Sequence, residues 1–170
     1  MKQIILFSLA VALYGCGNNT KNVMEESKMK AEENKAIVRK FIDEVVNKHN
    51  LKTVDELFAP DFVLHIAGNP EPMHGPESIK QADKMFSVAF PDWHNTLDDL
   101  IAEGDKVVTR WTERGTHRGE FQGISPTGKQ VTLAGMDLFL IKNGKIVEQW
   151  VYADMPGFMQ QLGAIPLPQK

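Results

Sequence analysis

The dipeptide Asn143-Gly144, set between two runs of alternating polarity, constrains the fold more than any other feature of the chain. Both residues accept the positive φ that a tight two-residue hairpin demands, so residues 131–141 and 145–152 are expected to pair as antiparallel strands. Glu103-Gly104-Asp105 places a second tight turn between 97–102 and 106–116. Two consecutive hairpins, separated only by the glycine-bounded loop 119–128, make a meander of long strands.

Upstream, the apolar period changes from two to nearly four. Ile37, Phe41 and Val45 recur at four-residue spacing with Val38, Ile42 and Val46 beside them, a helical stripe wide enough to cover a sheet. Asn50 is positioned to cap a second helix through Phe58, which Pro60 ends, and 61–66 reads as a short strand. Residues 67–76, with three prolines and two glycines, are loop. Pro76 opens a third helix to Ala89, Pro91 stops it, and a last helix spans 156–162 before Gly163. Helices first and strands after predict an α+β fold, with helices on one face of a curved antiparallel sheet and a ligand pocket in the mouth of the resulting cone.

The N-terminus has a different character. Lys2 precedes a run from Ile4 to Leu13 that is apolar except for Ser8, and Gly15-Cys16 follows. The run is shorter than the ~20 residues of a membrane-spanning helix and matches the apolar region of an export signal. A small residue before cysteine resembles the cleavage site of bacterial lipoproteins, with Cys16 as the lipidated residue; the alternative is an ordinary secretory signal with a chance cysteine. The expected organisation is a signal over 1–15, a lipidated cysteine and polar tether over 16–31, one domain over 32–163 and a loose tail over 164–170. This places the protein in the cell envelope, held to a membrane by its lipid.

Cys16 is the only cysteine, so acylation leaves no thiol for a disulfide, a nucleophile or a zinc site. The five histidines show no short ligand spacing, and no metal is expected. A net charge of −3 without a basic cluster argues against nucleic acid as a partner. Ser125 precedes a proline and does not fit a nucleophile elbow.

Strand parity sorts the candidate chemistry. Val107, Thr109, Trp111 and Glu113 share one face of their strand, Asp137 shares a face with Phe139 and Ile141, and Glu148, Trp150, Tyr152 and Asp154 share a face of the last strand. Carboxylates among aromatic residues acquire raised pKa values suited to acid–base work near neutrality. The expected pocket face of the last strand is that of Trp150, Tyr152 and Asp154.

The segment Arg114 to Lys129, RGTHRGEFQGISPTGK, together with Asn143 to Trp150, Asp154 and Gln160 to Gly163, resembles the SnoaL-like polyketide cyclase and ester cyclase family of the nuclear transport factor 2-like superfamily. Gly75-Pro76-Glu77, Phe90-Pro91-Asp92 and Glu103 to Val108 extend the resemblance, which runs from about Lys35 to Gly163. It implies a helix-lined cone, a homodimer packed sheet to sheet, and a pocket that performs acid–base chemistry without a cofactor. In such cyclases a carboxylate near the end of the last strand takes a C–H proton, and the enolate closes a ring by an aldol step. Many relatives carry an acid directly after the tryptophan, where this chain has Val151.

Asp154 is the candidate acid/base, its alternative role being the cap of the last helix. His117 is the candidate polar assistant, or else a loop histidine. Trp111 and Trp150 are candidate pocket walls; His65 and His74 are candidate ligand contacts at the mouth. Asp137, alone in an apolar strand, needs a partner: Arg110, Arg114 or a ligand. Two functions fit these residues. One is a cyclase, isomerase or hydrolase acting on a small apolar carbonyl compound. The other is an envelope lipoprotein that binds a hydrophobic ligand without transforming it.

Overall fold

The computed structural model describes residues 16–166. The expected signal segment and the end of the tail lie outside these residues, and the Cys16 side chain is likewise not described. A helix, α1 (Cys16–Lys40), opens the structure and runs directly into a π-helical segment, Phe41–Val46. The helix therefore starts well before the expected boundary near Glu32. No proline interrupts 16–59, and residues such as Met, Lys, Glu and Ala extend a helix cheaply once the packed turns have nucleated it. Side chains 21–30 are all exposed. From Asn34 onward the helix is docked: the Asn34 amide donates to the Gly104 carbonyl at 2.9 Å, and Val38, Phe41, Ile42 and Val45 are buried.

The short α2 (Lys52–Leu57) follows, and Asn50 takes no part in a side-chain cap; its amide donates instead to Glu44. The remaining elements are β1 (Phe58–Ile66), β2 (Met73–His74), α3 (Glu77–Ala89), β3 (His94–Glu103), β4 (Lys106–Thr116), β5 (Gln130–Lys142), β6 (Lys145–Ala153) and α4 (Met155–Leu162). Six strands form one sheet in the order β2-β1-β6-β5-β4-β3. Both hairpins form as expected, with Asn143, Gly144 and Gly104 at positive φ.

The sheet is mixed rather than antiparallel throughout. β1 lies parallel to β6, with Leu64 opposite Gln149 and Ile66 opposite Val151. The chain leaves β1 through α3 and the meander, so the returning last strand meets the first one running the same way.

A one-residue irregularity in the β5–β6 ladder controls what faces inward. Leu140 pairs with Glu148 and Ile141 with Ile146, leaving Val147 as an extra residue. Ile146 and Gln149, three apart, are consequently both buried beneath the helices. Beyond the bulge, Gln149, Val151 and Ala153 face the interior, while Trp150 and Tyr152 face the opposite side.

Two apolar clusters stand on the inner face. One packs Phe41, Phe58 and Phe139 beneath α1 and α2; the other packs Phe90, Trp93, Phe121 and Phe158 around α4. Val151 packs against both, and the space between them is left open.

Candidate functional site

That space is a cavity of about 680 Å³, within the range usual for small-molecule sites. Phe41, Val45, Leu64 and Ile79 form one wall, Trp93, Phe121 and Leu133 the other, and α3 supplies Met85 and Phe86. Into this apolar chamber the sheet projects a small set of polar side chains: Asn95 from β3, Trp111 and Glu113 from β4, Asp137 from β5 and Gln149 from β6.

Register explains their grouping. Asn95 pairs with Glu113, and its amide donates to the Glu113 carboxylate at 2.9 Å. Trp111 lies opposite Gly135, where a Cβ would collide with the indole; glycine at this position lets the ring lie across the neighbouring strand. Asp137 is only 6% exposed. Gln149, one diagonal step away on β6, donates to it at 3.3 Å.

Both carboxyls titrate far above their usual range. Burial pushes Asp137 up to about 7; the Trp111 indole opposes the rise, the charge of Glu113 adds to it, and the Gln149 amide opposes it. Burial also pushes Glu113 up to about 7, against the pull of the Asn95 and Trp93 side chains. No cation offsets either group. Arg110 points to the other side of the sheet, where its guanidinium bonds Asp98 at 3.1 Å and Asp99 at 2.6 Å. The expected partnership of Asp137 with Arg110 does not form, because even-numbered positions of β4 face outward; Arg114, exposed and of the same parity, is no partner either. Among the described residues Asp137 Oδ1, Gln149 Oε1 and Asn95 Oδ1 are buried with no hydrogen-bond partner.

Of the residues singled out in the sequence, Trp111 and Asp137 line the cavity. The others lie elsewhere. Asp154 is exposed and caps α4, accepting from the Gly157 N–H at 2.9 Å; it occupies the end of β6 on the outward parity, one residue before a helix that needs a capping oxygen. His117 is fully buried, but in the aromatic cluster. Its ring stacks on Phe90, and its Nδ1 accepts the Thr127 backbone N–H at 3.2 Å. Trp150 stacks on His65 with ring centres 5.2 Å apart, and His65 Nε2 lies 2.8 Å from Glu148, all on the outward face. His74 sits exposed on β2. Glu113, Asn95 and Gln149 were not foreseen as site residues. For Glu113 the signal was available, since it shares a strand face with Trp111.

Among the described residues there is no group of three His, Cys, Asp or Glu placed to hold a metal, and no helix is long and apolar enough to cross a membrane. The cavity brings together two carboxyls of raised pKa, Glu113 and Asp137, with adjacent amide and indole groups.

Comparison with known proteins gives this chamber relatives. No curated protein matches the chain. Among solved structures, AclR of Streptomyces galilaeus superposes with a TM-score of 0.73 at 28% identity, covering 82% of this chain and 91% of its own. TsrD of Streptomyces laurentii gives 0.70 at 29% identity, with coverage of 79% and 97%. IdmH of Streptomyces antibioticus gives 0.67 at 32% identity, with coverage of 76% and 98%. The family model described as SnoaL-like polyketide cyclase matches residues 36–162, which span the docked part of α1 through α4 and include every polar residue of the cavity. The chain belongs to the SnoaL-like polyketide cyclase family.

Proposed function

We propose that the protein is a cofactor-free acid–base catalyst acting on an apolar carbonyl compound held in the cavity, with Asp137 as the group that moves the proton. The observation that carries this reading is a buried carboxyl, uncompensated by any cation, whose pKa near 7 lets it hold or release a proton at physiological pH. A C–H proton next to a carbonyl passes to the Asp137 carboxylate, and the electron pair moves to the carbonyl oxygen as an enolate. The Trp111 indole N–H, which faces Asp137 and pulls its pKa down, is the donor available to that oxygen. Glu113, held by Asn95, is the second proton carrier; burial keeps the Asp137 pKa high, and the charge of Glu113, when ionised, adds to it. The apolar walls orient the substrate and keep water from quenching the enolate. Return of the proton gives isomerisation or exchange; attack on a second carbonyl in the same molecule gives cyclisation.

The test is deuterium exchange into the α-carbon of 2-tetralone, a neutral apolar ketone, followed by NMR in D₂O. Wild-type protein accelerates the exchange over buffer. Asp137→Asn abolishes the acceleration while the ketone still binds. Exchange at the wild-type rate in this variant refutes the assignment; no acceleration by wild type, with the ketone bound, leaves the ligand-binding reading in its place.

Two further parts of the reading concern surroundings. An envelope location with Cys16 lipidated is supported by Lys2, the apolar run and Gly15-Cys16. Incorporation of labelled palmitate, lost in Cys16→Ala, tests it. Homodimerisation through the outward sheet face is supported by Ile101, Met136 and Tyr152, which are 66%, 48% and 60% exposed there, and by a shallow apolar groove between Val108, Met136 and Tyr152. Analytical ultracentrifugation of Met136→Glu, expected to be monomeric beside a dimeric wild type, tests it.

A further inference from the structure

We infer that this cavity also takes an apolar molecule carrying a protonated amine, with the ammonium seated at Asp137 and Gln149. The inference rests on the cavity being a ligand site, as proposed above; an ammonium there occupies the carboxylate that otherwise takes the C–H proton, so such an amine is a bound ligand that competes with the ketone.

Every charged residue lining the cavity among those described is acidic: Asp83 at the mouth, Glu113 and Asp137 inside. Asp83 has a partner, His49, at 2.8 Å. The two inner carboxyls have amides and indoles beside them but no cation, and the amides leave acceptors behind. The nitrogen of Asn95 is spent on Glu113 and the nitrogen of Gln149 on Asp137, so in each case the carboxyl fixes the amide with its oxygen free. The cavity-lining oxygens without a partner are Asp137 Oδ1 and the amide oxygens of Gln149 and Asn95, and an amide oxygen only accepts. Asp137, Gln149 and Asn95 are each at most 6% exposed, so a missing partner costs them free energy rather than being supplied by bulk water.

An ammonium brings what this wall lacks: positive charge and three N–H donors. The aromatic rings of Phe41, Phe86, Trp93 and Trp111 suit a cation with an apolar body as well, through their negative faces. A carboxylate or phosphate in the same place brings further acceptors and a second negative charge next to Asp137, with no Lys, Arg or His on the lining to receive it. Protons on Asp137 and Glu113 hold the charge down, consistent with their pKa values near 7; an ammonium displaces protons from them.

The experiment compares three probes of one shape: 9-anthracenemethylamine, 9-anthracenemethanol and 9-anthracenecarboxylate. Energy transfer from tryptophan reports binding, and calorimetry in two buffers at pH 7 counts protons. The amine is expected to bind at least tenfold tighter than the alcohol and a hundredfold tighter than the carboxylate, with protons released to buffer on binding. Asp137→Asn is expected to bring amine and alcohol within about threefold of each other. Equal affinity for amine and alcohol in the wild type overturns the inference, as does a carboxylate that binds as well as the amine. Because these are binding measurements, loss of the ketone exchange described above leaves the amine preference standing.

Discussion

The two faces of strands β4, β5 and β6 treat charge in opposite ways. On the outward face Arg110 sits between Asp98 and Asp99, with Thr112 donating to Asp98 at 2.8 Å, so each charge is paired where water is also at hand. On the inward face, among the described residues, Glu113 and Asp137 are without a cation, and Asp137 is buried. Optimising for stability alone leads to the reverse. An unpaired buried carboxyl is tolerated at neutral pH because it can remain protonated, and this arrangement yields a group that titrates near neutrality.

The contrast can be broken most severely at Asp137. Asp137→Asn is expected to lower turnover by about 10²–10⁴-fold, the usual share of a positioned acid–base group, measured as the exchange rate described above. The same substitution alters the pH dependence of stability. Asp137 has a folded pKa of about 7 against a model value of 3.8, so between those values the folded state holds the proton that the unfolded state has released. Stability is then greatest below about pH 3.8 with respect to this group, and it falls as pH rises through the window up to about 7. Urea titrations at pH 5 and pH 8 should show a smaller loss in Asp137→Asn than in wild type.

Gly135→Ala, which forces a methyl group into the Trp111 indole, is expected to cost about 1–3 kcal/mol and to weaken binding of any cavity probe, both measurable by thermal unfolding with and without ligand. Asp154→Ala should cost roughly 1 kcal/mol through loss of the α4 cap and leave turnover intact; a collapse of turnover in this variant would return the catalytic role to Asp154. Arg110→Ala on the exposed face should change stability by about 0.5 kcal/mol or less, and the pH profile of exchange not at all.

What could be read from the sequence divides along similar lines. The hairpins were legible because Asn143-Gly144 and Glu103-Gly104-Asp105 act locally, and the end of α1 with the π-helical segment after it was legible where Val38, Phe41, Ile42 and Val45 mark a buried stripe. The grouping of residues on each strand was also legible: Trp111 with Glu113, Asp137 with Phe139. Which group of β6 turns inward was not. Strict alternation from the buried Ile146 brings Glu148, Trp150 and Tyr152 inside, and the aromatic character of Trp150 and Tyr152 agrees with that choice; the bulge at Val147 overrides it. The parallel pairing of β1 with β6 and the meeting of Asn95 with Glu113 join segments whose residues carry no local sign of each other. Asp154 presents a different case. Its spacing from Pro156 suited a helix cap as well as a catalytic acid, and only the hydrogen bond to Gly157 separates the two.

Val147 occupies no place in the ladder, yet it sorts everything that follows it on β6. Had the strand continued from Ile146 in unbroken alternation, the same nine residues would have lined the chamber with an indole and a phenol and turned the amide partner of Asp137 out to solvent. Composition would be unchanged and the chemistry lost. Slippage by a single residue is thus a short mutational step between a proton-handling pocket and a merely aromatic one, and within this scaffold the position of an extra residue can matter as much as its identity.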